Sequence, residues 1–218
     1  MSSRRLKKSL AMISEEGLSE FLRRLAKRVR AVLFSATNLI VFELDLGRHA
    51  DEVDCPLELT FRLASAADIS GMDYETYDYD EPDKTYCLER LKNGDRCVLA
   101  LHHEKCIGYF WIMNGKMELS QFKHIALPEN RSYSYKAWVL KEFRGKRVLN
   151  AIDRFIIDML RKEQKEFLLN TVAVDNMPMI KARERMNFRP VGKVRQFRFL
   201  GFRYDHISQR DLSYLQSR

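Results

Sequence analysis

The sequence predicts an α/β domain in which a mixed sheet carries helices on its faces. Two observations predict this class. Short runs with β-branched residues, or with alternating apolar and polar residues, recur along the chain, which is typical of strands. Between them lie segments whose apolar residues recur at steps of three and four, which is typical of amphipathic helices. We find no repeat of fixed period, so a solenoid or propeller is not expected.

The first predicted elements of the domain are two strands and two short helices. Residues 39–46 (LIVFELDL) and 57–63 (LELTFRL) have the composition of strands, with a charged loop between them. Residues 64–72 are predicted to form a short helix. A second helix is predicted over residues 86–91, and Asn93-Gly94 ends it.

Four strands are predicted next, at residues 96–102, 106–113, 116–125 and 133–141. A tight turn around residues 103–105 joins the first two. Asn114-Gly115 is a strong hairpin signal before the third. These strands would supply most of the sheet.

The longest predicted helix covers residues 146–165 and has one apolar face, formed by Val148, Ile152, Phe155, Ile156, Met159 and Leu160. Three further elements follow it: a strand at 167–174, a helix at 177–186 and strand material at 189–204 that Gly192 and Gly201 interrupt.

The formal net charge of +8 is concentrated at the start of the chain. Residues 1–33 carry nine basic and three acidic side chains, a net +6, which leaves +2 for the rest. The global charge is therefore no argument for nucleic acid binding by the domain, and no nucleic-acid motif accompanies it. We expect no nucleic acid partner.

Residues 1–38 are predicted to be a basic helical leader that precedes a domain at 39–218. The leader has an apolar stripe at helical spacing, formed by Leu18, Phe21, Leu22, Leu25, Val29 and Val32, with the basic side chains on the other face. This stripe would pack on the domain, as most amphipathic helices do. The alternative is that residues 1–33 lie on an anionic membrane as a peripheral contact.

The cysteine spacing and the hydropathy argue against a zinc site, a disulfide framework and a membrane-spanning helix. The four cysteines form no C-x-x-C pair and no secretory signal opens the chain, so neither a zinc site nor a disulfide framework is expected. The longest uncharged stretch, residues 31–42, falls short of the about 20 apolar residues that a spanning helix needs. We expect a cytoplasmic protein without a metal, and the sequence leaves monomer and homodimer both open.

The most informative segment is the turn between the strand at 133–141 and the long helix, which carries Arg144, Gly145, Lys146 and Arg147. The first N–H groups of a helix have no partner within the helix, and the helix dipole is positive at this end. Together with three cationic side chains they would bind a pyrophosphate. A basic turn alone is a weak signal, but a strand before it, a helix after it and a further strand make it more specific.

These elements resemble the motifs of the GCN5-related N-acetyltransferase (GNAT) superfamily. Residues 138–146 (WVLKEFRGK), 172–176 (VAVDN) and 185–188 (RMNF) stand in the order and spacing of the family's strand and phosphate turn, its following strand with asparagine, and the end of its last helix. The resemblance covers about residues 57–200, with its specific motifs at 138–188. It implies a GNAT-type, mostly antiparallel central sheet flanked by helices.

The resemblance implies transfer of an acetyl group from acetyl-CoA to a primary amine, by direct attack in a ternary complex. In the family the strand matching 133–141 separates from the strand matching 167–174, and the acyl-pantetheine arm lies in the gap. A backbone N–H near Leu140 would stabilise the oxyanion. Coenzyme A would contact Trp138, Val139, Leu140, Arg144, Gly145, Lys146, Arg147, Val148, Leu149, Asn176, Met179 and Arg183.

Three features depart from the family pattern. The small residues of the phosphate turn are Arg147 and Leu149 here, which loosens backbone approach while Arg147 adds a phosphate contact. The family tyrosine that often protonates the departing thiolate falls at Arg183, and arginine cannot be a general acid because its pKa exceeds about 12. The family glycine before Phe188 is Asn187, which also tolerates a left-handed conformation.

The catalytic groups are therefore open. Arg183 or backbone N–H groups would stabilise the thiolate, or a residue elsewhere would protonate it. Glu142, His124 and Tyr135 lie on or beside strands that would border the substrate, as candidates for the proton transfers. A lone histidine on a strand is more often satisfied or exposed than catalytic. The acceptor would be a small-molecule or side-chain amine.

Residues 73–83 (DYETYDYDEPD) contain six acids and lie where the family places its acceptor-specificity region. They would favour a cationic acceptor, or form a solvated loop, which is the more common role of such stretches. Two alternatives stay open at this stage. The missing tyrosine is compatible with a non-catalytic acyl-CoA-binding or membrane-docked regulatory module of the same fold, and an enzyme with a longer acyl chain or a hydroxyl acceptor is also compatible.

Overall fold

The computed structural model describes residues 34–48, 55–72, 84–120, 123–199 and 202–209. These residues fall into two compact units, one formed by 39–193 with Gln209 and the other by 34–38 with 194–208. Residues 1–33 of the predicted leader and the acidic stretch at 73–83 lie outside the described residues, whereas residues 34–38 of the leader form strand and not helix. The boundary between leader and domain at residue 38 therefore stays a prediction.

The strands of the chain are β1 (Phe34–Asp45), β2 (Thr60–Leu63), β3 (Arg96–His102), β4 (Lys105–Asn114), β5 (Lys116–Ser120), β6 (Lys123–Ala126), β7 (Arg131–Val139), β8 (Phe167–Ala173), β9 (Arg189–Phe199) and β10 (Phe202–Gln209). In the larger unit they run in the order β2-β3-β4-β7-β8-β1, with the start of β9 beside β1. All neighbours whose register is described are antiparallel except β7 and β8, which are parallel. The predicted mixed, mostly antiparallel sheet is confirmed.

The smaller unit contains the first residues of β1, the end of β9 and most of β10. Within it, β10 is the neighbour of β9. The predicted interruption of this strand material at Gly192 is wrong, because β9 runs through that glycine without a break.

Four α-helices are described: α1 (Ala66–Gly71), α2 (Lys84–Lys92), α3 (Val148–Lys162) and α4 (Met177–Arg185). A capping box starts α1, because the Ser65 hydroxyl accepts the N–H of Asp68 and the Asp68 carboxylate accepts the N–H of Ser65. Arg62 donates two further hydrogen bonds to that carboxylate, at 2.6 and 2.5 Å. These bonds from Arg62 and Ser65 hold the pKa of Asp68 well below its usual range.

The main core lies between one face of the sheet and the helices α3 and α4. The apolar stripe of α3 contributes Ile152, Ile156 and Leu160, all fully buried. They pack against side chains of β3 and β4 such as Val98 and Phe110. The stripe that predicted the helix therefore also fixes which of its faces meets the sheet.

The predicted single strand at 116–125 is wrong. The segment forms two short strands, β5 and β6, which pair with each other in a separate two-stranded sheet. Since the chain reverses between Ser120 and Lys123, Glu118 lies opposite His124. A short hairpin keeps the same alternation as one long strand, and this is why the pattern alone did not separate them.

Two observations concern membrane-spanning helices and groups of metal ligands. Within the described ranges, no helix has the length and apolar character needed to cross a bilayer. In the same part of the chain, no three His, Cys, Asp or Glu side chains are grouped as metal ligands.

Candidate functional site

The parallel strands β7 and β8 pair over only part of their length. Their described register runs from Arg131 opposite Phe167 to Ser134 opposite Asn170, although β7 continues to Val139 and β8 to Ala173. At the last pair, the Asn170 side-chain amide donates to the Ser134 carbonyl oxygen at 2.8 Å. This bond satisfies a buried carbonyl at the point where the strands separate.

A bulge in β7 follows directly after this point. Tyr135 lies opposite Trp111 of β4 and Trp138 lies opposite Tyr109, so two residues of β7 face one of β4. Lys136 within the bulge has φ 52°. Because a bulge bends its strand and increases the local twist, it explains why β7 leaves β8 here while it stays paired with β4.

The turn after β7 ends in the N-terminus of α3. A 3-10 turn at Lys141–Phe143 is followed by Gly145 (φ 79°) and Arg147 (φ 61°), both in the left-handed region. No side chain caps α3 at Arg147 and its first turn has no acidic residue. The N–H groups of the first turn are therefore available to a ligand, at the positive end of the helix dipole.

A cleft of about 890 Å³ lies where these features meet, between the separated end of β7, this turn, the start of α3 and the exposed face of α4. Its volume is in the range of about 300–1,000 Å³ that is typical of small-molecule and cofactor sites. Among the described residues, the side chains that line it include Arg144, Arg147 and Arg185 and no carboxylate. The cleft is therefore suited to an anionic ligand with an apolar part.

The comparisons with known proteins bear on this fold. No family profile matches the chain, and no curated protein sequence matches it. An acetyltransferase of the GNAT family from Colwellia psychrerythraea superposes with a TM-score of 0.56 at 13% identity, over 76% of this chain and 57% of that structure. The chain has the GNAT fold.

Two other solved structures share this fold with the chain. A Drosophila protein has a TM-score of 0.57 at 12% identity, over 85% of this chain and 58% of that one. A Staphylococcus epidermidis protein described as functionally unknown has a TM-score of 0.52 at 12% identity, over 85% and 67%. The chain spans less than two thirds of the length of two of these three structures. At identities of 12–13%, the similarity to these structures shows the fold alone.

Nine of the twelve predicted coenzyme A residues line the cleft: Trp138, Val139, Arg144, Gly145, Arg147, Val148, Leu149, Asn176 and Met179. Asn176 also caps α4, since its side chain accepts the N–H of Met179 at 3.2 Å. Leu140 and Lys146 are outside the lining. The N–H of Leu140 already donates to the Ile107 carbonyl at 2.8 Å. Contrary to our prediction, this N–H is therefore not available to an oxyanion.

Arg183, at the position of the GNAT tyrosine, is also outside the lining. It is 1% exposed and its Nη1 donates to Asp153 Oδ2 of α3 at 2.6 Å. Its guanidinium lies 5.5 and 5.0 Å from the ring centroids of Phe110 and Phe188. Burial raises the pKa of the Asp153 carboxyl, an effect that Arg183 only partly offsets. The pair joins α3 to α4 behind the cleft wall.

The other predicted catalytic residues are not brought together at the cleft. Glu142 is exposed in the 3-10 turn, and His124 lies in β6, where only its backbone position is described. The Tyr135 hydroxyl donates to Asp95 at 2.7 Å, and its ring lies 4.6 Å from the Arg90 guanidinium. Burial and the charge of Asp95 raise the pKa of Tyr135, so this hydroxyl stays protonated.

Tyr135 belongs to a buried polar cluster on the other face of the sheet. Arg90 of α2 forms ion pairs with Asp95, at 3.1 Å, and with Glu118. Lys136 donates to the Tyr86 hydroxyl at 3.1 Å. Tyr135 before the bulge and Lys136 within it are therefore tied to α2 or to the residues that follow α2, which stabilises the bent course of β7.

Sequence reasoning missed seven cleft residues: Ala137, Phe143, Asn150, Pro178, Ala182, Arg185 and Met186. A signal for two of them was present, because Ala182 and Arg185 follow the predicted Met179 at steps of three, and residues three apart are neighbours on a helix surface. Asn187, which tolerates a left-handed conformation, adopts one, with φ 63°.

Proposed function

We propose that the chain binds an acyl-CoA in this cleft and transfers the acyl group, most simply acetyl, to an amine. The observation that carries the proposal is the separation of β7 from β8 beyond Ser134 and Asn170, next to an uncapped helix N-terminus with arginines around it. The Colwellia structure, which is named as an acetyltransferase of the GNAT family, has the same fold as this chain.

The pyrophosphate of coenzyme A would be held at the outer end of the cleft. The first N–H groups of α3 would donate to it, and Arg144, Arg147 and Arg185 would supply charge-assisted contacts. Arg144 is already oriented, because its Nε donates to the Val139 carbonyl at 3.0 Å. The donors thus surround an anion with both backbone and side-chain groups.

The pantetheine arm would lie along the edge of β7 that β8 leaves unpaired. An extended arm with two amide groups can hydrogen-bond to such an edge as an added strand. This arrangement would direct the thioester to the inner end of the cleft, near Trp138, and hold it there for attack. Orientation of this kind is itself a large part of catalysis in a two-substrate reaction.

A second candidate function is an acyl-CoA-binding module without catalysis. One observation favours it: Arg183 is buried in an ion pair with Asp153, and no described residue that lines the cleft is a Tyr, His, Cys, Asp or Glu. Proton transfers during catalysis would therefore use water or groups outside the lining. Turnover measurements separate the two candidates.

Calorimetric titration with acetyl-CoA tests the proposed site. We expect Arg144→Glu and Arg185→Glu each to weaken acetyl-CoA binding at least about tenfold, because each replaces a phosphate contact with a repulsive charge. Lys162→Glu, at the exposed far end of α3, is the matched control and should bind like the wild type. Equal affinities in all four proteins would overturn the assignment of the phosphate site.

Thiol release with amines present then separates enzyme from module. An acyltransferase releases free coenzyme A only as fast as the amine is acylated. A module binds acetyl-CoA with the same dependence on Arg144 and Arg185, and releases no thiol with any amine.

A further inference from the structure

Arg183 of α4 and Asp153 of α3 connect the two helices that line the cleft. Residues three or four positions apart are neighbours on a helix surface. Leu149, which lines the cleft, lies four positions before Asp153. Met179 and Met186 also line it, four positions before and three positions after Arg183. Each member of the pair is therefore about one helical turn from residues that line the cleft.

Three contacts hold the Arg183 guanidinium in place. Its Nη1 donates to Asp153 Oδ2 of α3 at 2.6 Å. The buried rings of Phe110, in β4, and Phe188, after α4, lie 5.5 and 5.0 Å from it. A hydrogen bond between charged groups requires a defined length and direction, whereas repacked apolar cores lose rigidity before they lose stability. The pair therefore restricts the position of α4 relative to α3 more than apolar packing would.

Stability alone does not account for the pair. Both side chains are 1% exposed, and among the described residues no group is a hydrogen-bond partner of Asp153 Oδ1 or Arg183 Nε. A buried ion pair recovers the cost of leaving water only when its remaining polar atoms are also hydrogen-bonded, and apolar side chains of similar volume are often equally stabilising. What the pair adds to such packing is a fixed geometry.

The proposed phosphate site depends on both helices. The helix α3 supplies the N–H groups of its first turn, and α4 supplies Arg185, two positions after Arg183. A shift of α4 would move Arg185 away from its place opposite those N–H groups. A misplacement of about 1 Å by a remote change can cost an enzyme on the order of a hundredfold in rate. A ligand that contacts both helices at once therefore requires a fixed distance between them.

We infer that Arg183 and Asp153 are positioning residues for the acyl-CoA: the pair sets the distance between α3 and α4, and this distance determines the affinity of the cleft. Neither side chain touches the ligand, and each acts through the lining residues of its own helix. The inference rests on the proposed function, because the ligand is the one proposed for the cleft.

A double variant separates positioning from stability. Asp153→Leu with Arg183→Met replaces the pair by apolar side chains of similar volume, so its stability in urea unfolding should stay near that of the wild type. We expect its affinity for acetyl-CoA, measured by calorimetric titration, to fall at least about tenfold, because the distance between the helices is no longer fixed. A contact that only stabilised the fold would leave the affinity unchanged at this stability.

The matched control makes the same two substitutions in an exposed pair. Asp158→Leu with Arg154→Met removes an ion pair of 3.1 Å on α3, whose side chains are 46% and 35% exposed and lie outside the cleft lining. This control should bind acetyl-CoA like the wild type. If the first double variant does not fold, Arg183→Met and Arg154→Met carry the same comparison, with each affinity referred to the folded fraction measured by circular dichroism.

Each outcome bears on either the positioning pair or the proposed function. Wild-type affinity in the variant of Asp153 and Arg183 would overturn the positioning role, while the donor site would stand. An equal loss of affinity in that variant and in the control would also overturn it, because the loss would not be specific to the buried pair. Failure of the wild type to bind acetyl-CoA would remove the proposed function, and this inference with it.

Discussion

The buried ion pair between Arg183 and Asp153 leads to a prediction with a definite asymmetry. Both side chains are 1% exposed, and their contact is 2.6 Å. Asp153→Ala leaves a buried guanidinium that cannot lose its charge in a protein. We expect it to lower the free energy of unfolding by about 3–5 kcal/mol, the cost of an uncompensated buried charge.

Arg183→Met should cost less, about 1–3 kcal/mol at neutral pH, because the remaining carboxyl can take up a proton and become neutral. In this variant, the pKa of the Asp153 carboxyl in the folded state would lie above the unfolded value of about 3.9, so the folded state would bind the proton first. The stability of this variant should therefore increase as the pH falls from the folded pKa toward about 4. The double variant Asp153→Leu with Arg183→Met removes both charges and should lie near the wild type or above it.

Urea unfolding followed by circular dichroism at pH 7 and pH 5 measures these differences. Asp158→Ala is the control on the same helix, because Asp158 pairs with Arg154 at 3.1 Å while 46% of its side chain is exposed. Its expected cost is about 0–1 kcal/mol. If Asp153→Ala costs no more than this control, or if the double variant costs as much as Asp153→Ala, the reasoning about the buried pair is refuted.

Three further variants test the fold around the cleft. Gly108→Ala would bring its Cβ to 3.0 Å from the Trp138 carbonyl oxygen and 3.3 Å from Ile152, so we expect a loss of about 1–3 kcal/mol in thermal unfolding, and an unchanged midpoint would contradict the close packing. Tyr135→Phe leaves Asp95 without its 2.7 Å donor and should cost about 1–3 kcal/mol while acetyl-CoA affinity stays the same; weakened affinity at wild-type stability would contradict the placement of Tyr135 outside the cleft. Asp68→Asn should be less stable than the wild type at pH 7, and the difference should shrink as the pH falls below about 4, because the lowered pKa of Asp68 stabilises the fold only while the carboxylate is ionised; a pH-independent difference in urea midpoints would argue against this.

The parts of the fold with local signals could be predicted. The stripe of α3 gave the helix and its buried face, although α3 begins at Val148 because Arg147 adopts a left-handed conformation. The turn at residues 103–105 is present as predicted, with positive φ at His103 and Glu104. Such features depend on neighbours in sequence, so the sequence alone is sufficient. The hairpin predicted at Asn114-Gly115 is wrong, because β4 pairs with β3 and β7 while β5 pairs with β6 in a separate sheet.

The opening between β7 and β8 depends on contacts distant in sequence. No glycine or proline marks the bulge at Lys136, and the Asn170 bond to Ser134 joins residues 36 positions apart. For these reasons the separation of the strands followed from the family resemblance and not from the residues themselves. The pairing of Asp153 with Arg183 had one local sign, an acid on the apolar face of α3 beside Ile152.

The central claim is that an acyl-CoA lies between β7 and β8 with its phosphates on α3. Amide hydrogen exchange of the full chain with and without acetyl-CoA tests it directly, because bound ligand slows exchange of the N–H groups that it covers. We expect slower exchange at residues 137–139 and 147–150, with no change in the hairpin of β5 and β6. Unchanged exchange at the end of β7 and the start of α3, under conditions where acetyl-CoA is bound, would contradict the claim.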